Sequence, residues 1–235
     1  VVKIPDLCFY GCNNLSSVTL PETIIEIGEQ AFGYSESLNT IDFPSSLQRI
    51  GTFAFVNCSI SSAILPDGCL NIGTYAFSQC GNLQTVHLPE TLTEIPEGCF
   101  NYTPSLHSIN IPSTIIRIGN GAFSKSKFTS LKLPEGLLLI EDYGITECES
   151  LTSLELPSTL ISIGNYGLFG LSALTQLTVN TTDPSNILTG TDIFYATPYG
   201  NVTLNVPMGT MLLYSVKNPW SNFEKIVEPI TINLT

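Results

Sequence analysis

Seven cysteines and two histidines are the side chains of this 235-residue chain best suited to covalent or metal chemistry. Cys12, Cys58, Cys80 and Cys148 recur at one position of a repeat described below, where other turns carry Ser35, Thr103, Ser126 and Leu171. Cys8 and Cys99 take a position otherwise held by alanine, and Cys69 replaces an inward leucine or isoleucine. All seven are therefore expected at buried positions, where a free thiol behaves as a small hydrophobe. A disulfide between Cys58 and Cys80, in adjacent turns, stays open as the alternative. Neither a Cys-x-x-Cys pair nor a Cys/His cluster exists to suggest zinc. His87 falls on an outward strand position, and His107 lies three positions out of register in the next turn. That offset is about 10 Å along a strand, too far for both to hold one metal. Without a third partner they support no Ser-His-Asp arrangement either. Glu141, Asp142, Glu147, Glu149 and Glu155 form an acidic group that could attract calcium, yet the D-x-[DN]-x-[DN]-G spacing is missing. Lys132 is expected beside Glu155, which makes a solvated acidic patch the reading of that group. Sequons at Asn14, Asn57, Asn101, Asn180, Asn201 and Asn233 follow from a composition rich in Asn, Ser and Thr. No catalytic residue, metal site or cofactor is assigned, and the chain does not read as an enzyme.

Eight Lys and Arg against twenty Asp and Glu give a formal charge of −12. That balance repels phosphate backbones and anionic lipid, so nucleic acid is excluded as a partner. Insertion of this segment into a membrane is excluded too, because no run of about 18 apolar residues occurs. The first residues, Val-Val-Lys-Ile-Pro-Asp, have neither a charged n-region nor an apolar h-region, so no signal peptide is read there. Only 12% of residues are charged. The surface must be covered largely by Ser, Thr and Asn, which suits a parallel β stack better than a helical bundle.

The element that positions every one of these residues is an internal repeat. Segments beginning at Leu15, Leu38, Ile60, Leu83, Leu106, Phe128, Leu151 and Leu174 start 23, 22, 23, 23, 22, 23 and 23 residues apart. Seven carry a proline six residues on, from Pro21 to Pro157. The shared pattern is L-x-x-[VI]-x-[LI]-P-x-x-[LI]-x-x-I-G-x-x-A-F-x-x-C. Val18 and Leu20 should point inward and Ser17 and Thr19 outward, as in a half-buried strand. Pro21 ends the strand, and Gly28 is expected to permit a tight backbone at the following corner. Stacked turns would pile up Phe9, Phe32, Phe55, Phe77, Phe100 and Phe123, continued by Ile145 and Leu168. Both 22-residue units lose their residue at one corner, Cys58-Ser-Ile60 and Ser126-Lys-Phe128, which should therefore face outward.

The motif L-P-x-x-[LI]-x-x-I-G-x-x-A-F resembles the BspA-type leucine-rich repeats over residues 4 to about 228. The close, Val206-Pro207-Met208-Gly209 followed by Tyr214, Trp220 and Phe223, is also similar to the end of such arrays. A proline turn stands where the common leucine-rich consensus has Asn or Cys. The resemblance implies a right-handed leucine-rich-repeat solenoid of 22–23-residue turns. Such a fold has a parallel β-sheet face and is mostly β with short helical or 3-10 turns. The expected organisation is a single solenoid over 1–228. It comprises a partial first turn at 1–14, regular repeats at 15–179 and an irregular last turn and cap at 180–228. Residues 229–235 read as a tail or linker. The resemblance further implies a secreted or cell-surface protein that adheres to a host extracellular or microbial surface protein or glycan. The alternative is a passive spacer within a larger surface protein. The candidate ligand-binding face is the outward column Thr19, Asp42, Ile64, His87, Asn110, Lys132, Glu155 and Thr178, which varies from turn to turn. The neighbouring column, from Ser17 to Gln176, is nearly uniform. A further stripe, Ile25, Leu70, Ile116, Leu138 and Ile161, is apolar where an exposed surface would be polar.

Overall fold

A computed structural model describes residues 2–229, and the greater part of the tail expected at 229–235 lies outside them. The chain winds into a β-solenoid of about ten turns. Each regular turn opens with a short strand, such as Ser17–Thr19. It continues through a proline turn into a two-residue strand, such as Glu26–Ile27, and closes through the Ala-Phe corner. The proline shapes its turn as well as ending the strand: its carbonyl accepts from the amide three residues on. Ile24 N bonds Pro21 O at 3.0 Å, and the same bond recurs from Leu47 to Pro44 and from Ile115 to Pro112.

Consecutive turns pair in parallel and in register. Thr19 lies opposite Asp42, His87 between Ile64 and Asn110, and Glu155 between Lys132 and Thr178. This first ladder is nevertheless interrupted twice, between 42 and 62 and between 110 and 130. Both breaks fall where a 22-residue unit replaces one of 23. The missing residue is felt on the sheet as well as at the corner. The second ladder breaks between Ile72 and Glu94 for a different reason. In most turns the amide after the two-residue strand donates to the turn before: Gly51 N to Ile27 O, Gly73 N to Ile50 O, Gly119 N to Ile95 O. Pro96 occupies that place opposite Ile72 and has no N–H to give.

Polar side chains bridge the turns where charges would be expected on another fold. Ser46 Oγ donates to Ile24 O at 2.6 Å, Thr114 Oγ1 to Leu92 O at 2.6 Å and Thr159 Oγ1 to Leu137 O at 2.9 Å. These three hydroxyls hold one place in the repeat, and each satisfies a carbonyl of the preceding turn. The low charge content and high Ser/Thr content thus have a structural use.

Inside, the phenylalanines stack as expected. Ring centroids from Phe9 through Phe123 lie 5.1, 5.3, 5.3, 5.7 and 5.8 Å apart, with planes within 12° of parallel. Burying each is worth roughly 1.5–3 kcal/mol, and no turn could do so alone. Beyond Phe123 the column continues through buried Ile145 and Leu168 to Phe194. There Trp220 and Phe223 meet Phe194 edge-on at 5.4 and 5.1 Å. Among the described residues, helix and 3-10 segments occur only from Pro184 onward, the one α-helix being Met211–Val216. The regular corners are hydrogen-bonded turns, and the short helical and 3-10 segments expected of a mostly β array lie in its last turn and cap.

Two sequence expectations need correction. Cys8 is exposed and Cys12 half-exposed, because no turn among the described residues covers the outer side of the first one. Gly28 is needed for a reason other than a left-handed backbone. A Cβ there would lie 2.3 Å from Asp6 Oδ1 and 2.8 Å from Ile4 O. The neighbouring turn simply passes too close. The left-handed positions are elsewhere, two per turn, in columns such as Gln30, Phe53, Tyr75 and Tyr34, Asn57, Gln79, with φ between 49° and 60°.

Candidate binding face

The outward column begins with side chains that have little else to do. Thr19, Asp42, Ile64, His87, Asn110 and Lys132 are exposed, while Glu155 and Thr178 are half-buried. The ladder places Asn205 next to Thr178, extending the column by one position that the break in period after Val179 concealed from sequence reading. Within the column three members are already engaged within the fold. Asn110 clamps the main chain of Leu88, accepting from its N–H at 2.8 Å and donating to its carbonyl at 2.9 Å. Lys132 and Glu155 neutralise each other at 2.9 Å. That lysine holds the Glu155 carboxyl below the usual carboxylate range, helped by Asn180. Asp42 differs: among the described residues it has neither a cation nor a side-chain hydrogen bond.

Ile64, the one apolar residue of the eight, is 67% exposed. With Ile41, Asp42, Phe43 and Ser62 it lines a cleft of about 250 Å³. The cleft sits on the first interruption of the ladder. Matching clefts open at the two shortened corners. One holds Cys58 and Ser59 at about 360 Å³, and the other Ser126 and Lys127 at about 230 Å³. The one-residue deletion near Ser59 was the available sequence signal. Its effect on the strand face could be seen only once the turns were placed side by side.

The other chemistry-bearing residues disperse. All seven cysteines are free, so the Cys58–Cys80 disulfide is not formed. The recurring thiols act as donors: Cys58, Cys80 and Cys148 Sγ lie 3.0, 3.1 and 3.3 Å from the carbonyls of Phe32, Phe55 and Phe123. Ser35 makes the same bond to Phe9 O at 2.6 Å, which explains why Cys alternates with Ser at this position. Burial pushes Cys58 and Cys148 up to about 12 and Cys69 to about 11, and raises Cys80 and Cys99 also. Thiols so protonated are poor nucleophiles. His87 ends the strand Thr85–His87 and His107 lies just before the strand Ser108–Asn110, 2.9 Å from Ser105 O through Nδ1. The acidic group is divided among partners: Glu141 with Arg117, Asp142 with the Asn165 amide, Glu147 with Lys125. No three His, Cys, Asp or Glu among the described residues are placed to hold a metal. No helix among them is long and apolar enough to cross a membrane. In the apolar stripe, Leu70, Ile116 and Ile161 are exposed, whereas Ile25 and Leu138 are half-buried. The sequon at Asn233 lies outside the described residues.

Comparison with known proteins follows the same lines. The profile of the BspA type leucine rich repeat region matches in 6 copies, over residues 2–128 and 93–218. A leucine rich repeat protein of T. pallidum is 28% identical, covering 74% of this chain and 72% of that one, with a TM-score of 0.51. A leucine rich cell surface protein of Faecalibacterium prausnitzii is 24% identical over 91% of this chain and 68% of its own, with a TM-score of 0.63. No curated protein matches.

Proposed function

Since this chain belongs to the BspA-type leucine-rich-repeat family, we propose that it is a non-catalytic binding module of the cell surface or extracellular space. It adheres to a host extracellular or microbial surface protein or glycan through the strand face Thr19, Asp42, Ile64, His87, Asn110, Lys132, Glu155 and Thr178. The observation that carries this reading is an in-register outward column whose side chains change from turn to turn above an unchanging core. Stacked repeats present just such extended surfaces. The cell-surface name of the Faecalibacterium relative supports the location. Residues 1–228 act as one unit, and 180–228 serve as its irregular last turn and cap. Supporting that division, Tyr214, Trp220 and Phe223 are buried against the last turn, and the Tyr214 hydroxyl donates to Thr181 O at 2.6 Å.

The test uses biolayer interferometry of the protein against a fixed panel of purified matrix proteins and mucin at physiological salt. The quadruple variant Asp42→Asn, His87→Ala, Lys132→Ala, Glu155→Ala should weaken a positive signal by about tenfold or more, equivalent to losing one or two good contacts. Tyr34→Ser with Tyr143→Ser, on the corner side, should leave it unchanged. A quadruple variant that binds like the parent moves the site elsewhere. Silence across the panel favours the passive-spacer alternative.

A further inference from the structure

The interrupted ladder at residues 42–62 has chemistry of its own. We propose that the cleft between Thr40–Asp42 and Ser62–Ile64 is a subsite for a lysine or arginine side chain of a partner protein. The proposal rests on the strand-face reading and names what one part of that face recognises. Three independent observations converge. The cleft wall is apolar on Ile41, Phe43 and Ile64, and Ile64 leaves an apolar side chain open to solvent there. Such a wall suits the methylene stem of a basic side chain, which buries carbon while its charged head stays wet. At the rim, Asp42 is an exposed carboxylate with no cation of its own among the described residues, whereas Glu155 on the same column already has Lys132. Ser62, also in the lining, adds a hydroxyl that can accept a further N–H.

The main chain completes the argument. No ladder pairs join Thr40–Asp42 to Ser62–Ile64, and Ser61 N reaches Asn39 O only at 3.4 Å, so the pairing between turns is weakest beside the cleft. A formal charge of −12 draws cationic partners to the surface and repels acidic ones. An acidic or phosphorylated ligand would meet Asp42 unfavourably. A neutral glycan would hydrogen-bond the carboxylate but leave its charge unpaired.

The probes are N-acetyl-lysine-N-methylamide and its arginine equivalent, with the norleucine compound as the uncharged isostere of the lysine probe. Amide proton–nitrogen shifts of the whole chain are followed during titration. Saturable shifts are expected at residues 40–43 and 61–65 with the two cationic probes, with binding about tenfold weaker for norleucine. Asp42→Asn should abolish the difference between lysine and norleucine, and Ile64→Ser should weaken all three. Glu149→Gln, an exposed carboxylate off the strand face, should leave the lysine titration unchanged. Equal shifts from norleucine and lysine, shifts centred elsewhere, or a lysine titration untouched by Asp42→Asn would each overturn the subsite. Its failure is distinguishable from failure of the face. A panel partner lost in the quadruple variant but indifferent to Asp42→Asn alone sinks the subsite and leaves the face standing. A partner indifferent to both sinks the face as well.

Discussion

A buried thiol next to a main-chain carbonyl has a use only while it keeps its proton. Cys58, 3.0 Å from Phe32 O, is such a group, with its pKa raised from 9.0 to about 12 by burial. Because the folded value lies above the unfolded one, its contribution is complete below about pH 9 and is lost as pH rises from there toward about 12. Cys58→Ser, which can bond as Ser35 does to Phe9, should therefore lose about 1.4 kcal/mol less than the parent between pH 8 and pH 10 in urea titrations. Parallel curves for the two proteins would contradict the assignment. Thiol labelling gives a second reading. Cys8 and Cys12 should react in the native state, whereas Cys58, Cys69, Cys80, Cys99 and Cys148 should wait for unfolding. At this scale the sequence showed burial correctly for five of the seven. It could not show that the thiols donate, because the acceptor belongs to the preceding turn. The Asn110 clamp on Leu88 was hidden for the same reason.

Turns and ladders raise questions of close approach. Gly164, with a Cβ that would fall 2.4 Å from Asp142 Oδ1 and 2.5 Å from its amide nitrogen, should tolerate no side chain. Gly164→Ala is expected to cost roughly 1–3 kcal/mol through forced separation of two turns, measurable by urea denaturation; a cost near zero would mean the turns separate freely. Pro96 tests the converse. Replacing it with glycine supplies the missing N–H, and native-state hydrogen exchange should find the new amide as protected as that of Gly119, which donates to Ile95 O at 2.8 Å. Rapid exchange there would place the cause of the break elsewhere. The repeat unit, its strand and its proline were legible because their signals are local and recur seven times. The left-handed columns were not, since Tyr, Phe, Gln, Asn and Lys occupy them with no common residue type. The two ladder breaks were half legible: the deletions were visible, and their reach across to the strand face was not.

Taken whole, the molecule is a stack whose inside is fixed by identity and whose outside is released from it. Most turns repeat the same phenylalanine, alanine and isoleucine columns, and the rest keep them apolar or small. The strand face then needs only to alternate correctly, and one column of it is open to variation. Fold class was legible at this scale because a period of 22–23 residues specifies it; the partner was not, because recognition lies in the few positions where the period gives no instruction. Both the face and its cleft depend on which side chains point inward. The direct test is a pair of substitutions from neighbouring parts of one turn, compared by urea denaturation. Phe77→Ala, in mid-column between rings 5.3 and 5.7 Å away, should destabilise the protein by roughly 3–5 kcal/mol. Thr85→Ala, on the exposed side of the next strand, should change stability by no more than about 0.5 kcal/mol. Equal losses from the two would contradict the assignment of inside and outside.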